Sequence, residues 1–263
     1  MQLAIYQIDA FTRERFQGNS AAVVPLEHWL SVAQMQAIAM ENNLSETAFV
    51  LREPDGVFRI RWFSPLTEID FCGHATLASA FVLLEQGLAT APLTFRAAAV
   101  GDIPVVQLDD GRLEMDFPNR APEPVDSPPA ALLDGLGAKP YQVLRSPQAW
   151  FAVFEDEAQV RLLTPDLALF KTLAPLDVVV TAPGRRHDFV SRYFWPANGG
   201  DEDPVTGSIH AGLAPYWAER LGRTSLVALQ ASRRSGELYC RIEGTRVYVS
   251  GHAVRYLRGT IHC

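Results

Sequence analysis

Lysine is almost missing from this 263-residue chain, where Lys139 and Lys171 are the only two. An enzyme that holds pyridoxal phosphate or a carbonyl substrate as a Schiff base needs a lysine in its site. Neither lysine lies near the motifs described below, which disfavours that chemistry. Cysteine is scarce too: Cys72, Cys240 and Cys263 are too few and too scattered for a disulfide framework. Free thiols point to a cytoplasmic protein. No run approaches the ~18 apolar residues of a membrane helix, so no membrane is expected. Basic charge is in deficit, with 23 Lys and Arg against 30 Asp and Glu and a net charge of −7. Without a basic field, no nucleic-acid partner is expected. No Gly-x-Gly-x-x-Gly follows a strand and opens a helix, which disfavours a dinucleotide oxidoreductase. His28, His74, His187, His210, His252 and His262 share no ligand spacing, so no metal is expected. The first residues lack a basic stretch and carry Asp9 among apolar neighbours, which reads as a strand and not as a signal peptide.

What is present is a globular composition, 48% hydrophobic and 20% charged, with ample material for a core. Short β-branched or alternating runs predict strands at 3–11, 21–26, 47–52, 57–63, 105–108 and 112–117. After residue 140 the same signals fall at 142–144, 150–154, 159–163, 178–181, 189–194, 226–231, 238–242 and 246–250. Asp110-Gly111 and Glu243-Gly244 read as hairpin turns. Helices are expected at 31–41 with Ser31 as N-cap, at 73–86 stopped by Gly87, and at 207–221 stopped by Gly222. Shorter ones are expected near 130–135 and 166–173. The helices at 73–86 and 207–221 are apolar or small nearly all round, so each should be wrapped by sheet. Five prolines crowd residues 118–129 and split the chain nearly in half, as a linker would.

The halves resemble each other. Arg61-Trp62-Phe63-Ser64-Pro65 in the first is echoed by Arg192-Tyr193-Phe194-Trp195-Pro196 in the second. Each strand is followed by an acid, Asp70 or Asp203, and then by a glycine, Gly73 or Gly207, that opens an apolar helix. The repeat predicts two domains with pseudo-twofold symmetry, at 1–118 and 119–252, and a cleft between them. Two helix N-termini facing that cleft would offer free N–H groups and partial positive charge to a carboxylate.

Four blocks carry a family resemblance. They are Gly18-Asn19-Ser20-Ala21-Ala22-Val23, Asn43-Leu44-Ser45-Glu46-Thr47-Ala48-Phe49, Phe71-Cys72-Gly73-His74-Ala75-Thr76 and Asp203-Pro204-Val205-Thr206-Gly207-Ser208. In order and spacing they resemble the signature blocks of the PhzF-like isomerases, relatives of the phenazine-biosynthesis isomerase. The resemblance spans the chain; Ser20 stands where many members have proline. It implies an α+β, diaminopimelate-epimerase-like fold of two similar domains, each a curled, mostly antiparallel sheet around a central helix. It also implies that a last strand near 253–263 returns to the first domain, that no cofactor is used, and that the protein is a homodimer.

By this resemblance Glu46 is the general acid/base that moves a proton between carbons of a small carboxylated substrate. Such chemistry needs a carboxyl group in a dry site. His74, Gly73, Ser208, Gly207 and Asn19 are implied as substrate-binding, and Asp203 as a second catalytic carboxylate. The bland alternative for Asp203 is an acid countering a helix dipole. Diaminopimelate epimerases carry a catalytic cysteine at the place of Cys72, but they need a second thiol in the other half. Here that half reads Val205-Thr206-Gly207, so a two-thiol racemase is disfavoured and Cys72 reads as a small buried residue. Two alternatives stay open: an amino-acid epimerase or racemase using Glu46 and Asp203 as two bases, and a non-catalytic binder of small ligands.

Overall fold

The computed structural model describes residues 1–197 and 200–263. The chain divides into two compact units, one of Met1–Asp116 with Ser250–Cys263 and the other of Phe117–Val249. The first runs through β1 (Gln2–Ala10), β2 (Asn19–Leu26), α1 (Val32–Asn42), β3 (Glu46–Arg52), β4 (Phe58–Phe63), β5 (Glu68–Ile69), α2 (Gly73–Glu85), β6 (Leu93–Ala97), β7 (Gly101–Gln107) and β8 (Leu113–Pro118). The second holds β9 (Glu123–Pro124), α3 (Ala130–Leu136), β10 (Gln142–Arg145), β11 (Ala149–Val153), α4 (Glu157–Leu162), α5 (Leu167–Lys171), β12 (Asp177–Pro183), β13 (Phe189–Trp195), β14 (Gly200–Asp203), α6 (His210–Leu221), β15 (Ser225–Gln230), β16 (Gly236–Glu243) and β17 (Arg246–Gly251). The chain then returns to the first unit as β18 (Ala253–His262), antiparallel to β1. Among the described residues no helix is long and apolar enough to cross a membrane.

In the first unit β2 pairs antiparallel with β1 and parallel with β3, and β3 pairs antiparallel with β4. Both faces of this layer are covered. Met35 and Ala39 of α1 pack with Ala22, Val24, Phe49 and Phe63. The other helix, α2, packs on β1, β2, β3 and β18. Burial on both faces explains why Ala21 to Val24 and Thr47 to Val50 read as continuous apolar runs without alternation. Residues 73–80 of α2 are all buried. Thr76 and Ser79 fit there because each hydroxyl donates to the carbonyl four residues back, Cys72 O at 2.6 Å and Ala75 O at 2.7 Å.

In the second unit β12 pairs parallel with β11 and antiparallel with β13, and β13 pairs with β14 and β15. Phe154, Val160, Phe170, Val180 and Phe194 fill a core closed by Leu132 and Leu136 of α3. Helix α6 packs on β15 and β16. It is buried through Ala214 and again at Trp217, with Glu219 and Arg220 exposed, so only its first half is apolar all round.

Three local expectations need correction. Residues 159–163 do not form a strand; 159–162 lie in α4 with Leu163 as its C-cap, because Asp156 and Gln159 make a reciprocal capping box that starts a helix. The apolar helix of the second half begins at His210 and not at Gly207. Residues 207–209 form a tight turn, in which His210 N–H donates to Gly207 O and Ala211 N–H to Ser208 O. The two acids of the repeat are not equivalent, since Asp70 is exposed and Asp203 is buried. Strand β6 was not anticipated, although Leu93-Thr94-Phe95-Arg96-Ala97 alternates buried and half-buried residues; β14, Gly200–Asp203, carries no such alternation of apolar residues.

Candidate active site

The turn before β2 sets the first part of the site. Gly18 has φ +65°, and a Cβ there would stand 2.1 Å from Ala10 O. Only glycine takes that conformation at that distance, and the turn delivers Asn19 into the interior as the first residue of β2. Helix α1 ends at Asn43 in the left-handed conformation, φ 47°. Three residues later the chain enters β3 at Glu46, which lies opposite Ala21 in the parallel ladder. The third part is the head of α2, with Cys72 at the N-cap and His74 as the second residue of the first turn.

These segments bring five side chains together: Asn19, Ser45, Glu46, Cys72 and His74. Glu46 is 3% exposed, His74 4% and Asn19 0%. Ser45 Oγ donates to Asn19 Oδ1 at 3.1 Å. That contact turns the amide nitrogen toward His74, and Asn19 Nδ2 lies 3.2 Å from His74 Nδ1. An amide nitrogen only donates, so Nδ1 accepts and the imidazole proton sits on Nε2. His74 Nε2 is 2.9 Å from Glu46 Oε2. The ring N–H does not align with that oxygen, and Oε2 has no well-formed hydrogen bond among the described residues. The contact is therefore electrostatic, and one carboxylate oxygen keeps its acceptor capacity inside a nearly dry interior. Cys72 Sγ lies 3.4 Å from His74 Nδ1 and 3.9 Å from Nε2. Glu46, Cys72 and His74 each offer a ligand atom, all within 4.8 Å of one another, so this cluster is the place where a cation could be held.

The second unit presents its own set at the head of α6. Asp203, 7% exposed, ends β14 opposite Tyr193. Its carboxylate accepts from Thr206 Oγ1 at 2.5 Å. Gln230 clamps the following turn: its amide nitrogen donates to Asp203 O at 2.9 Å, and its amide oxygen accepts from Thr206 N–H at 2.8 Å. Ser208 is half-buried, and its Oγ accepts from Gln148 Nε2 at 3.0 Å. Gln148 Nε2 also reaches Tyr193 Oη at 3.1 Å, and Tyr193 donates to Asp177 Oδ2 at 2.5 Å. Burial, reinforced by the Asp177 carboxylate, pushes the Tyr193 hydroxyl well above its ordinary pKa, so it stays a donor.

The structure thus places Asn19, Glu46, Gly73 and His74 together in the first unit, and Asp203, Gly207 and Ser208 together in the second. Sequence reasoning missed Gln148, Tyr193, Asp177 and Gln230, and it gave Cys72 no partner. Tyr193 sits in the repeated strand motif, which was its only signal. Gln148 has none, being one polar residue in a Ser-Pro-Gln turn. A separate cleft of about 380 Å³ in the first unit is lined by Trp29, Arg61, Trp62, Glu68 and Arg96 and holds none of the candidate residues. Its arginines, Arg59 included, are already engaged: Arg59 by Glu53, Arg61 by Glu68, and Arg96 by Asp55 and Asp102.

Comparison with known proteins identifies the family and the fold. The chain matches the phenazine biosynthesis-like protein family, PhzC-PhzF, over residues 8–259. It is 49% identical over 262 residues to an uncharacterized isomerase of Pseudomonas aeruginosa, covering 100% of both chains. It superposes on a PhzF-family crystal structure from Enterococcus faecalis with a TM-score of 0.94 and 42% identity, again over 100% of both. A hydroxyproline epimerase from Agrobacterium vitis shares the fold at a TM-score of 0.61 and 11% identity, over 99% of this chain and 92% of that one. The fold is α+β and diaminopimelate-epimerase-like, and the chain belongs to the phenazine biosynthesis-like (PhzC-PhzF) family, as one of its isomerases.

Proposed function

We propose that the protein moves a proton between carbons of a small carboxylated substrate, without a cofactor, with Glu46 as the acid/base. The observation that supports this reading is the Glu46 carboxylate itself: buried, 2.9 Å from the His74 imidazole, with Oε2 lacking an aligned donor. An acceptor oxygen in a nearly dry interior is suited to taking a proton from carbon, because little water competes for it. In this mechanism Glu46 takes the proton and the electron pair of the broken C–H bond spreads into the substrate's conjugated or carboxyl system. Glu46 then returns the proton to a different carbon. The Asn19–His74 pair fixes the imidazole ring beside Glu46 and leaves the carboxylate oxygen free to accept a proton. Asp203 and Ser208 belong to the proposal as substrate-contacting groups, with Tyr193 and Gln148 orienting Ser208. We place the protein in the cytoplasm as a homodimer.

A second reading follows from Asp203, a buried carboxylate at the head of α6. If Asp203 delivers the proton to the opposite face of the same carbon, the reaction is an epimerisation or racemisation. Proton NMR in D₂O separates the readings. The panel holds dihydro-hydroxyanthranilate, diaminopimelate and common amino acids, with Glu46→Gln as the control. Rearrangement of the carbon skeleton's double bonds, lost in the control, supports the isomerase. Deuterium uptake at an α-carbon with inversion supports the epimerase. Turnover that survives in Glu46→Gln removes Glu46 from the mechanism.

A further inference from the structure

We propose that Glu46, Cys72 and His74 form a binding site for one thiophilic divalent cation of the zinc and cadmium class. The donor set is a thiol, an imidazole and a carboxylate, three ligand types that zinc takes in protein sites. Their atoms already converge within 4.8 Å, and all three residues are buried. For tetrahedral bonds of zinc length, sulfur and nitrogen ligands stand about 3.6 Å apart, and nitrogen and oxygen about 3.4 Å. The corresponding separations here are 3.9 Å from Cys72 Sγ to His74 Nε2 and 2.9 Å from His74 Nε2 to Glu46 Oε2. These two pairs need shifts of about half an ångström, and the Cys72 thiol and the Glu46 carboxylate, which lie within 4.8 Å of each other, close by at most about 1.2 Å. The fourth position is left to water.

Charge and hydrogen bonding support the same assignment. A doubly charged cation with one thiolate and one carboxylate is neutral overall, which keeps the cost of burying the group low. Glu46 Oε2 lacks a well-formed hydrogen bond among the described residues, so coordination would satisfy a buried acceptor. A coordinating His74 Nε2 must lose its proton, and Nδ1 must then carry one and donate it outward. Asn19 provides for this. If its amide flips, Oδ1 accepts from Nδ1–H, and the Ser45 hydroxyl, able to accept as well as donate, takes the amide N–H. Cys72 gives its thiol proton to solvent, so about one proton is released per cation bound.

Binding of the cation rests on this geometry alone; its consequence for catalysis rests on the proposed role of Glu46, which the cation would occupy. The test needs no substrate. Cys263 is exposed and would itself take up cadmium, so Cys263→Ser serves as the background. Titration with cadmium chloride is followed by thiolate-to-cadmium charge-transfer absorption and by calorimetry in buffers of differing ionisation enthalpy. The expected result is a 1:1 complex that releases about one proton. The absorption disappears in Cys72→Ala and in Cys72→Ser alike, since neither side chain carries sulfur, while calorimetry reads whatever affinity the remaining ligands keep. Affinity falls about 10- to 100-fold in Asn19→Ala, as it does when an outer-shell partner is removed. Circular dichroism identifies any variant that has not folded. Absence of the absorption, its survival in Cys72→Ala, or equal affinity in Glu46→Gln and His74→Gln would overturn the proposal. Survival would place the cation on Cys240, and equal affinity would place it on sulfur alone. Proton-exchange activity of cation-free enzyme is read separately, so failure of the site and failure of the isomerase reading give different results.

Discussion

His210 should make the protein lose stability in acid by a calculable amount. Its ring is fully buried in α6, and burial lowers its pKa from 6.5 to about 4. Nδ1 lies 2.9 Å from Thr206 O, to which it donates, and Nε2 has no partner among the described residues. The ring lies 5.9 Å from that of Phe189, which stacks on Trp217. Above pH 6.5 neither the folded nor the unfolded chain protonates this group, and it contributes no pH dependence. Between 6.5 and about 4 the unfolded chain binds a proton that the folded one refuses, so stability falls as pH falls. Below about 4 both bind it and the loss is complete. At ~1.4 kcal/mol per pH unit the full loss is about 3 kcal/mol, most of it by pH 4.5. Urea unfolding followed by tryptophan fluorescence, at several pH values, measures this for the wild type and for His210→Gln. Carboxylates titrate in both proteins and cancel in the difference. The stability gap between the two should change by about 2–3 kcal/mol from pH 7.5 to 4.5, with the wild type losing more. Parallel curves for the two proteins would refute the assignment of a neutral buried imidazole.

Other expected outcomes follow from local geometry. Gly18→Ala places a Cβ against Ala10 O and strains a positive φ, so it should destabilise the first unit by about 1–3 kcal/mol. The same substitution should also displace Asn19; a thermal midpoint equal to that of the wild type would contradict the close approach. Asp156→Ala removes the oxygen that caps α4 through Ala158 N–H and Gln159 N–H. It should cost about 0.5–2 kcal/mol in the same urea assay, and Asp156→Asn should recover most of it.

The local chemistry of the site was legible because it is written in short blocks. The glycine that only a left-handed turn accepts, the Asn43 helix stop, the Ser45-Glu46 step into β3 and the Cys72-Gly73-His74 helix head are all consecutive residues. The wrapped helix α2 was legible from its lack of a polar face. Helix α4 was misread because β-branched and apolar residues at 160–163 suit a strand, while the deciding contact is the Asp156–Gln159 box at its entrance. The start of α6 was misplaced for a related reason. Gly207 matches Gly73 in the repeat and so reads as the helix start, but the clamp of Gln230 on Thr206, from 24 residues away, shapes a turn that precedes the helix.

By itself the sequence nominated candidate site residues, marked two halves and picked out the buried helix α2, since these depend on composition and spacing along the chain. Only the tertiary structure decided who meets whom. Parallel pairing of β2 with β3 sets Ala21 beside Glu46 and so brings Asn19 next to Ser45. Packing of α2 across that layer brings Cys72 and His74 to the same point. A thiol, an imidazole and a carboxylate whose spacing in sequence shows no ligand pattern become one cluster because strand register and helix packing act on distance in space, which residue numbers do not record.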